Sequence, residues 1–167
     1  LLYHIPGLSS VVFSHASIQT LVERHPGVVI GVKDSSGELA HGLALAKAFP
    51  GLCILSGAEQ YVAQIMCAGG SGSINGLGNI SPALMARIIA RPQQVDAQDA
   101  KLVLDLLALL SLRPGTNFVN VYKTMLAEQT GDDTWLNVRA PLCPLEPEEE
   151  QAVRAAYRAI GAALARV

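Results

Sequence analysis

Val28-Val29-Ile30-Gly31-Val32-Lys33-Asp34-Ser35-Ser36-Gly37 is the stretch that decides how this chain folds. Four of the five residues before Lys33 are Val or Ile, the composition of a strand buried on both faces, as in a parallel sheet. Side chains alternate along a strand, so Val29, Gly31 and Lys33 are expected on one face and Val28, Ile30 and Val32 on the other, with Gly31 leaving space beside the amine. A lysine closing such a strand has two readings. It can mark the solvated end of the strand, or it can be a desolvated amine, which loses its proton more readily and condenses with a ketone.

The neighbouring segments repeat the same grammar. Upstream, Leu1 to Ile5 reads as a strand closed by the turn dipeptide Pro6-Gly7, with Leu1, Tyr3 and Ile5 on one face and His4 on the other. A helix capped by Ser14 carries Ile18, Leu21 and Val22 and ends near His25-Pro26-Gly27. Downstream, Gly37-Glu38-Leu39 opens a helix that runs to Phe49, and Leu52 to Leu55 is a strand ending at Ser56-Gly57. A helix with Tyr61, Val62, Ile65 and Met66 stops at Ala68-Gly69-Gly70, Ser71 to Asn75 is a short strand, Gly76 to Asn79 is a loop, and Ser81-Pro82 starts another helix. Strand and helix alternate through residue 92, the pattern of parallel strands with right-handed crossovers.

Four βα units are half of a (β/α)8 TIM barrel, so the expected fold is α/β: a C-terminal half-barrel over residues 1–92 followed by a helical extension over 93–167. An open doubly wound sheet is the second possibility. In the extension, helices are expected at 95–112, 116–130 and 147–165, with a Pro-containing loop over 132–146. The chain opens at Leu1 inside a strand, and half a barrel leaves two unpaired sheet edges. We therefore expect it to be the C-terminal part of a longer polypeptide.

Bulk properties exclude several function classes. A net charge of −2 offers no basic field for nucleic acid or an anionic membrane. Half the residues are hydrophobic and mean hydropathy is +0.34, yet the longest apolar region, Leu102 to Leu112, is interrupted by Asp105 and is too short to span a bilayer. No stretch reads as a signal peptide. Cys53, Cys67 and Cys143 lack a CxxC pair, so a cytoplasmic setting is expected, with Cys53 and Cys67 as small core hydrophobes. His15, His25 and His41 have no ligand spacing, and Gly70-Ser71-Gly72 and Gly76-Leu77-Gly78 lack the third glycine of a dinucleotide loop. No metal or other cofactor is expected. Phe118, Val121, Tyr122 and Met125 form a stripe at helical spacing, read as core or oligomer contact.

In either architecture the chemistry lies at the carboxyl ends of the strands. Those ends are Tyr3 to Pro6, Lys33 to Ser36, Ser56 to Glu59 and Ile74 to Gly76. Tyr3 and Lys33 both point inward from neighbouring strands, a phenol beside an amine. Such a pair can form a Schiff base on a keto acid and move the protons that its formation requires.

Taken in order, Tyr3-His4-Ile5-Pro6, Gly31-Val32-Lys33-Asp34-Ser35-Ser36-Gly37, Leu55-Ser56-Gly57, Ala68-Gly69-Gly70-Ser71-Gly72-Ser73-Ile74 and Arg139-Ala140-Pro141-Leu142 resemble the dihydrodipicolinate synthase / N-acetylneuraminate lyase family over essentially the whole chain. The resemblance implies a (β/α)8 barrel with three C-terminal helices and class I aldolase chemistry on pyruvate, in a homo-oligomer, dimer or tetramer. It makes Lys33 the Schiff-base lysine and Tyr3 the proton shuttle, with the backbones of Gly57 and Ile74 against the bound keto acid. The departures narrow the expectation. His4 stands where the family usually has Asn, and is read as packing behind the site. Leu8 stands where the synthases hold a substrate carboxylate with arginine, and Ala58 where they usually have Asp. Glu59 falls where sialic-acid lyases hold substrate hydroxyls. A lyase acting on a 2-keto-3-deoxy sugar acid is therefore favoured over 4-hydroxy-tetrahydrodipicolinate synthase, and a non-catalytic truncated barrel is the reading from another class. The family's carboxylate-binding loop and the tyrosine lent across its dimer interface have no counterpart in these residues.

Overall fold

The computed structural model describes residues 1–112 and 118–164. Two compact units are present, one made of Leu1–Asn75 with Ala86–Val95, the other of Gly76–Met85 with the described residues from Asp96 onward.

The first unit contains the sheet. Strands β1 (Leu2–His4), β2 (Gly31–Asp34), β3 (Cys53–Ser56) and β4 (Gly72–Ser73) are all parallel and lie side by side in chain order. A doubly wound sheet reverses its order at a switch point; this one does not, so the barrel-type winding is the one adopted. The crossovers are α1 (Pro6–Ser9) and α2 (His15–Arg24), α3 (Leu39–Ala48), and α4 (Val62–Cys67) behind a 3-10 turn at Glu59–Tyr61. Ser14 caps α2 as expected, its hydroxyl accepting the Ser17 N–H at 3.1 Å.

The sheet buries the face that meets these helices. Val32 and Ile54 pack with Ile18 of α2, Leu45 and Phe49 of the α3 region and Ile65 of α4. Each such fully buried side chain contributes about 2 kcal/mol relative to exposure. The opposite face keeps Leu1, Tyr3 and Ile74 exposed and Lys33 half-buried.

Local expectations are corrected at four places. Strand β2 is shorter than its β-branched run: its ladder with β1 begins at Leu2–Val32, and Val28 and Ile30, with no partner there, are exposed. Gly31 does not leave a void, because a Cβ there would lie 2.3 Å from the Cys53 carbonyl oxygen and 2.8 Å from Leu1. Residues 77–80 form the short helix α5 (Leu77–Ile80) rather than a loop, since Leu77 and Ile80, one turn apart, are both buried. Cys67 is exposed and Cys53 only half-buried: α4 buries Val62 and Ile65, and Cys67 falls off that stripe.

Helix α6 (Pro82–Ala90) follows. In the second unit α7 (Ala97–Leu110), α8 (Phe118–Thr130) and α9 (Pro147–Leu164) pack on one another, with a 3-10 turn at Asp133–Leu136. Residues 116, 117 and 165 of the expected helices lie outside the described residues. Val121 and Met125 of the expected stripe are core, while Phe118 and Tyr122 are half-buried and meet edge to face. Arg154 of α9 bridges Glu128 at 3.3 Å, Asp133 at 2.5 Å and Glu150 at 2.8 Å. Among the described residues no helix is long and apolar enough to cross a membrane.

Candidate active site

Parallel pairing sets the first contact. In the β1–β2 ladder Tyr3 lies directly opposite Lys33 and His4 opposite Asp34. Alternation then divides the four side chains between the two faces of the sheet.

On the inner face the Lys33 ammonium nitrogen lies 4.1 Å from the centroid of the Tyr3 ring, within cation–π range. Lys33 and Ser35 both act on the Tyr3 hydroxyl and favour its ionised form. Burial alone would raise the phenol's pKa. The polar Lys33 and Ser35 side chains and the lysine's charge outweigh it, so the phenol lies below its ordinary value of 10.0. A phenol that gives up its proton more easily, in contact with an amine, is a competent proton relay.

The next strand end closes on this pair. The Gly57 N–H donates to the Asp34 carbonyl at 2.7 Å. A Cβ at Gly57 would fall 2.0 Å from the Ser35 hydroxyl oxygen and 3.0 Å from the Asp34 carbonyl oxygen, so only glycine lets the two strand ends approach this closely. The Ile74 N–H donates to the Ser56 carbonyl at 3.0 Å, and the Ser73 hydroxyl donates to the same oxygen at 2.7 Å. Glu59 begins the 3-10 turn two residues beyond Gly57 and is buried. Tyr3 and Lys33 are thus in direct contact, Gly57 abuts Ser35 one residue beyond β2, and Glu59 and Ile74 lie just beyond the ends of β3 and β4. Leu8, in α1, is exposed.

On the outer face sits a group that the sequence spacing conceals. His4 and Asp34 are buried there, and His41 of α3 brings its Nδ1 to 3.1 Å from Asp34 Oδ2. Donor atoms of His4, Asp34 and His41 lie within 4.8 Å of one another, the donor set of a histidine–carboxylate metal centre. Their planes tell against that use: the His4 and His41 rings are stacked at 4.4 Å and 22°, so their nitrogens run side by side instead of converging. A hydrogen-bonded network is the better description. His41 lies seven residues beyond Asp34, across a turn and into a helix, so no local spacing announces the contact. The outward direction of both His4 and Asp34 was the available signal. Ser35, one residue beyond the end of β2, is a further site residue that its polar turn context conceals.

Comparison with known proteins agrees with this geometry. The family model described as the dihydrodipicolinate synthetase family matches residues 1–160. An uncharacterized DapA-like lyase of Chloroflexus aurantiacus is 32% identical over 165 residues, which cover 96% of this chain and 53% of that protein. The crystal structure of dihydrodipicolinate synthase from Agrobacterium tumefaciens matches with a TM-score of 0.79 and 33% identity, over 95% of this chain and 53% of that one. The dihydrodipicolinate synthase of Acinetobacter baumannii, solved complexed with pyruvate, matches with a TM-score of 0.76 and 26% identity, over 96% and 54%. The chain therefore spans about half the length of these relatives, and a C-terminal half-barrel followed by helices fits that share.

Proposed function

We propose, from the premise that this chain belongs to the dihydrodipicolinate synthetase family, that it carries the Schiff-base half of a pyruvate-dependent class I aldolase or lyase. The observation that supports this reading is the Tyr3–Lys33 contact at the carboxyl ends of β1 and β2. Lys33, as the neutral amine, adds to the C2 carbonyl of pyruvate, and the carbinolamine loses water to give an iminium ion. The iminium draws electrons from C3, so a methyl proton leaves and an enamine forms. The enamine carbon then attacks an aldehyde, making the new carbon–carbon bond, and water releases the product from Lys33. Cleavage of a 2-keto-3-deoxy sugar acid is the same sequence reversed.

Tyr3 moves the protons between carbinolamine, water and the incoming aldehyde oxygen, a role suited to its lowered pKa. The backbones of Gly57 and Ile74 line the keto acid, and Glu59 holds hydroxyls of the second substrate. The second reading, 4-hydroxy-tetrahydrodipicolinate synthase, is favoured by the likeness to the Agrobacterium enzyme. Against it stand Leu8, which has no charge for the carboxylate of aspartate semialdehyde, and Ala58.

The test is pyruvate consumption with a panel of aldehydes, using the chain together with its upstream sequence where the gene supplies one. Faster condensation with a polyhydroxyaldehyde than with aspartate semialdehyde is expected. The reverse preference overturns the lyase reading in favour of the synthase. Failure with every aldehyde favours a non-catalytic barrel.

A further inference from the structure

The carboxylate of Asp34 is 4% exposed and stands directly behind the Lys33 strand end. Both of its oxygens are engaged: Oδ1 accepts the Ser36 N–H at 3.1 Å, and Oδ2 faces His41 Nδ1 at 3.1 Å. An ionised carboxylate only accepts hydrogen bonds, so the hydrogen lies on His41 Nδ1. A buried carboxylate without partners is costly, which makes this contact a constraint on where Asp34 can sit.

His41 is itself held in place. Its ring stacks on His4, whose Nδ1 accepts the Phe13 N–H at 3.3 Å and so carries no hydrogen. Burial first, then the neighbouring His41, lowers the pKa of His4 against the opposing pull of Asp34 and Glu38. His4 is thus a neutral platform. The His15 ring lies 6.1 Å from His41 and edge-on to Phe49.

The turn that Asp34 anchors reaches the other face of the sheet. The Ser35 N–H donates at 2.7 Å to the carbonyl of His4, the residue that follows Tyr3, and the Ser35 side chain acts on the Tyr3 phenol, favouring its ionised form. A displacement of the Asp34–Ser36 turn therefore moves Ser35, and with it the phenol.

We propose that His41 is a positioning residue: by donating Nδ1–H to Asp34 it fixes the Asp34–Ser36 turn, and through Ser35 it holds the Tyr3 phenol beside Lys33. The inference rests on the roles given above to Lys33 and Tyr3. A displaced relay slows proton transfer while leaving pyruvate binding intact, so its signature is a lower saturated rate at unchanged half-saturation.

The assay is exchange of the pyruvate methyl protons in D2O, followed by NMR, which needs the Schiff base and enamine but no aldehyde. His41→Leu removes the donor. His41→Asn restores one, since its amide nitrogen occupies the place of Nδ1. We expect His41→Leu to lower the saturated exchange rate about tenfold with half-saturating pyruvate within about twofold of wild type, and His41→Asn to recover most of the rate. If His41→Leu does not fold, Ser35→Ala is the second variant, with the same loss expected. Equal rates in wild type and His41→Leu, an equal loss in Leu and Asn variants, or an undiminished Ser35→Ala each overturn the inference alone. A wild type that exchanges nothing with its upstream sequence present, as in the test of the proposed function, overturns the Lys33–Tyr3 reading and the inference with it.

Discussion

The two faces of the sheet at the ends of β1 and β2 handle polar groups in opposite ways. On the inner face Tyr3 is 47% exposed and Lys33 half-buried. Water still reaches these groups, and the Lys33 ammonium over the Tyr3 ring holds the two together. On the outer face His4 and Asp34 lie beside Val32 and Ile54 beneath the helices, where an unpaired polar group costs several times what a hydrogen bond contributes. Tyr3 and His4 are sequence neighbours, as are Lys33 and Asp34, yet in each pair one residue is free to do chemistry and the other is bound to support it. The difference teaches that period-two alternation alone can separate reactivity from stability. Substitutions on the inner face should therefore remove activity and spare the fold, and those in the apolar packing of the outer face should do the reverse, with His41 the exception because it acts on the inner face through the Asp34–Ser36 turn.

The largest effect is expected at Lys33→Ala, which deletes the proposed nucleophile: pyruvate-dependent turnover is abolished, while the unfolding free energy from urea titration changes by no more than about 0.5 kcal/mol, as for an ordinary surface change. A large loss of stability would break the division between the faces. Tyr3→Phe keeps the ring over Lys33 and removes only the hydroxyl. Turnover should fall between about 10²- and 10⁴-fold, the usual share of a positioned acid–base group, at nearly unchanged half-saturating pyruvate.

On the supporting face, Ile54→Ala empties a side chain only 1% exposed and should cost about 3 kcal/mol in denaturant unfolding, with the folded fraction retaining its turnover.

His4 gives the smallest and most diagnostic change. Its folded pKa lies below the ordinary 6.5, through burial first and His41 second, so between those two values the unfolded chain binds a proton that the folded chain refuses. The stability linked to His4 is complete above about pH 6.5 and is lost as the pH falls toward the folded value. His4→Asn should flatten the dependence of melting temperature on pH in that window. An unchanged slope would mean that His4 is not held neutral.

Most of this was legible because strands and helices announce themselves by different periods. The β-branched run before Lys33 marked a parallel strand, alternation put Tyr3 and Lys33 on one face, and the Tyr3–Lys33 register bears that pairing out. The exact extent of β2 was not legible, since ladder length depends on the partner strand and β1 is only three residues long. Gly31 looked like free space because a sequence cannot show what fills the gap, here Cys53 and Leu1. Helix α5 was hidden by its glycines; its apolar pair Leu77 and Ile80 is too short a period to outweigh them. The His4–Asp34–His41 network required knowing that α3 folds back over β2, a tertiary fact that no local spacing encodes.

The most direct test of the central claim is borohydride reduction in the presence of pyruvate, with the adduct mapped by peptide mass spectrometry. A reduced adduct on Lys33 blocks tryptic cleavage there, so the modified peptide should run from His25 to Lys47, be absent without pyruvate, and vanish in Lys33→Ala. An adduct on Lys47 or Lys101 with Lys33 unmodified, or no adduct when the upstream sequence is also present, would contradict it.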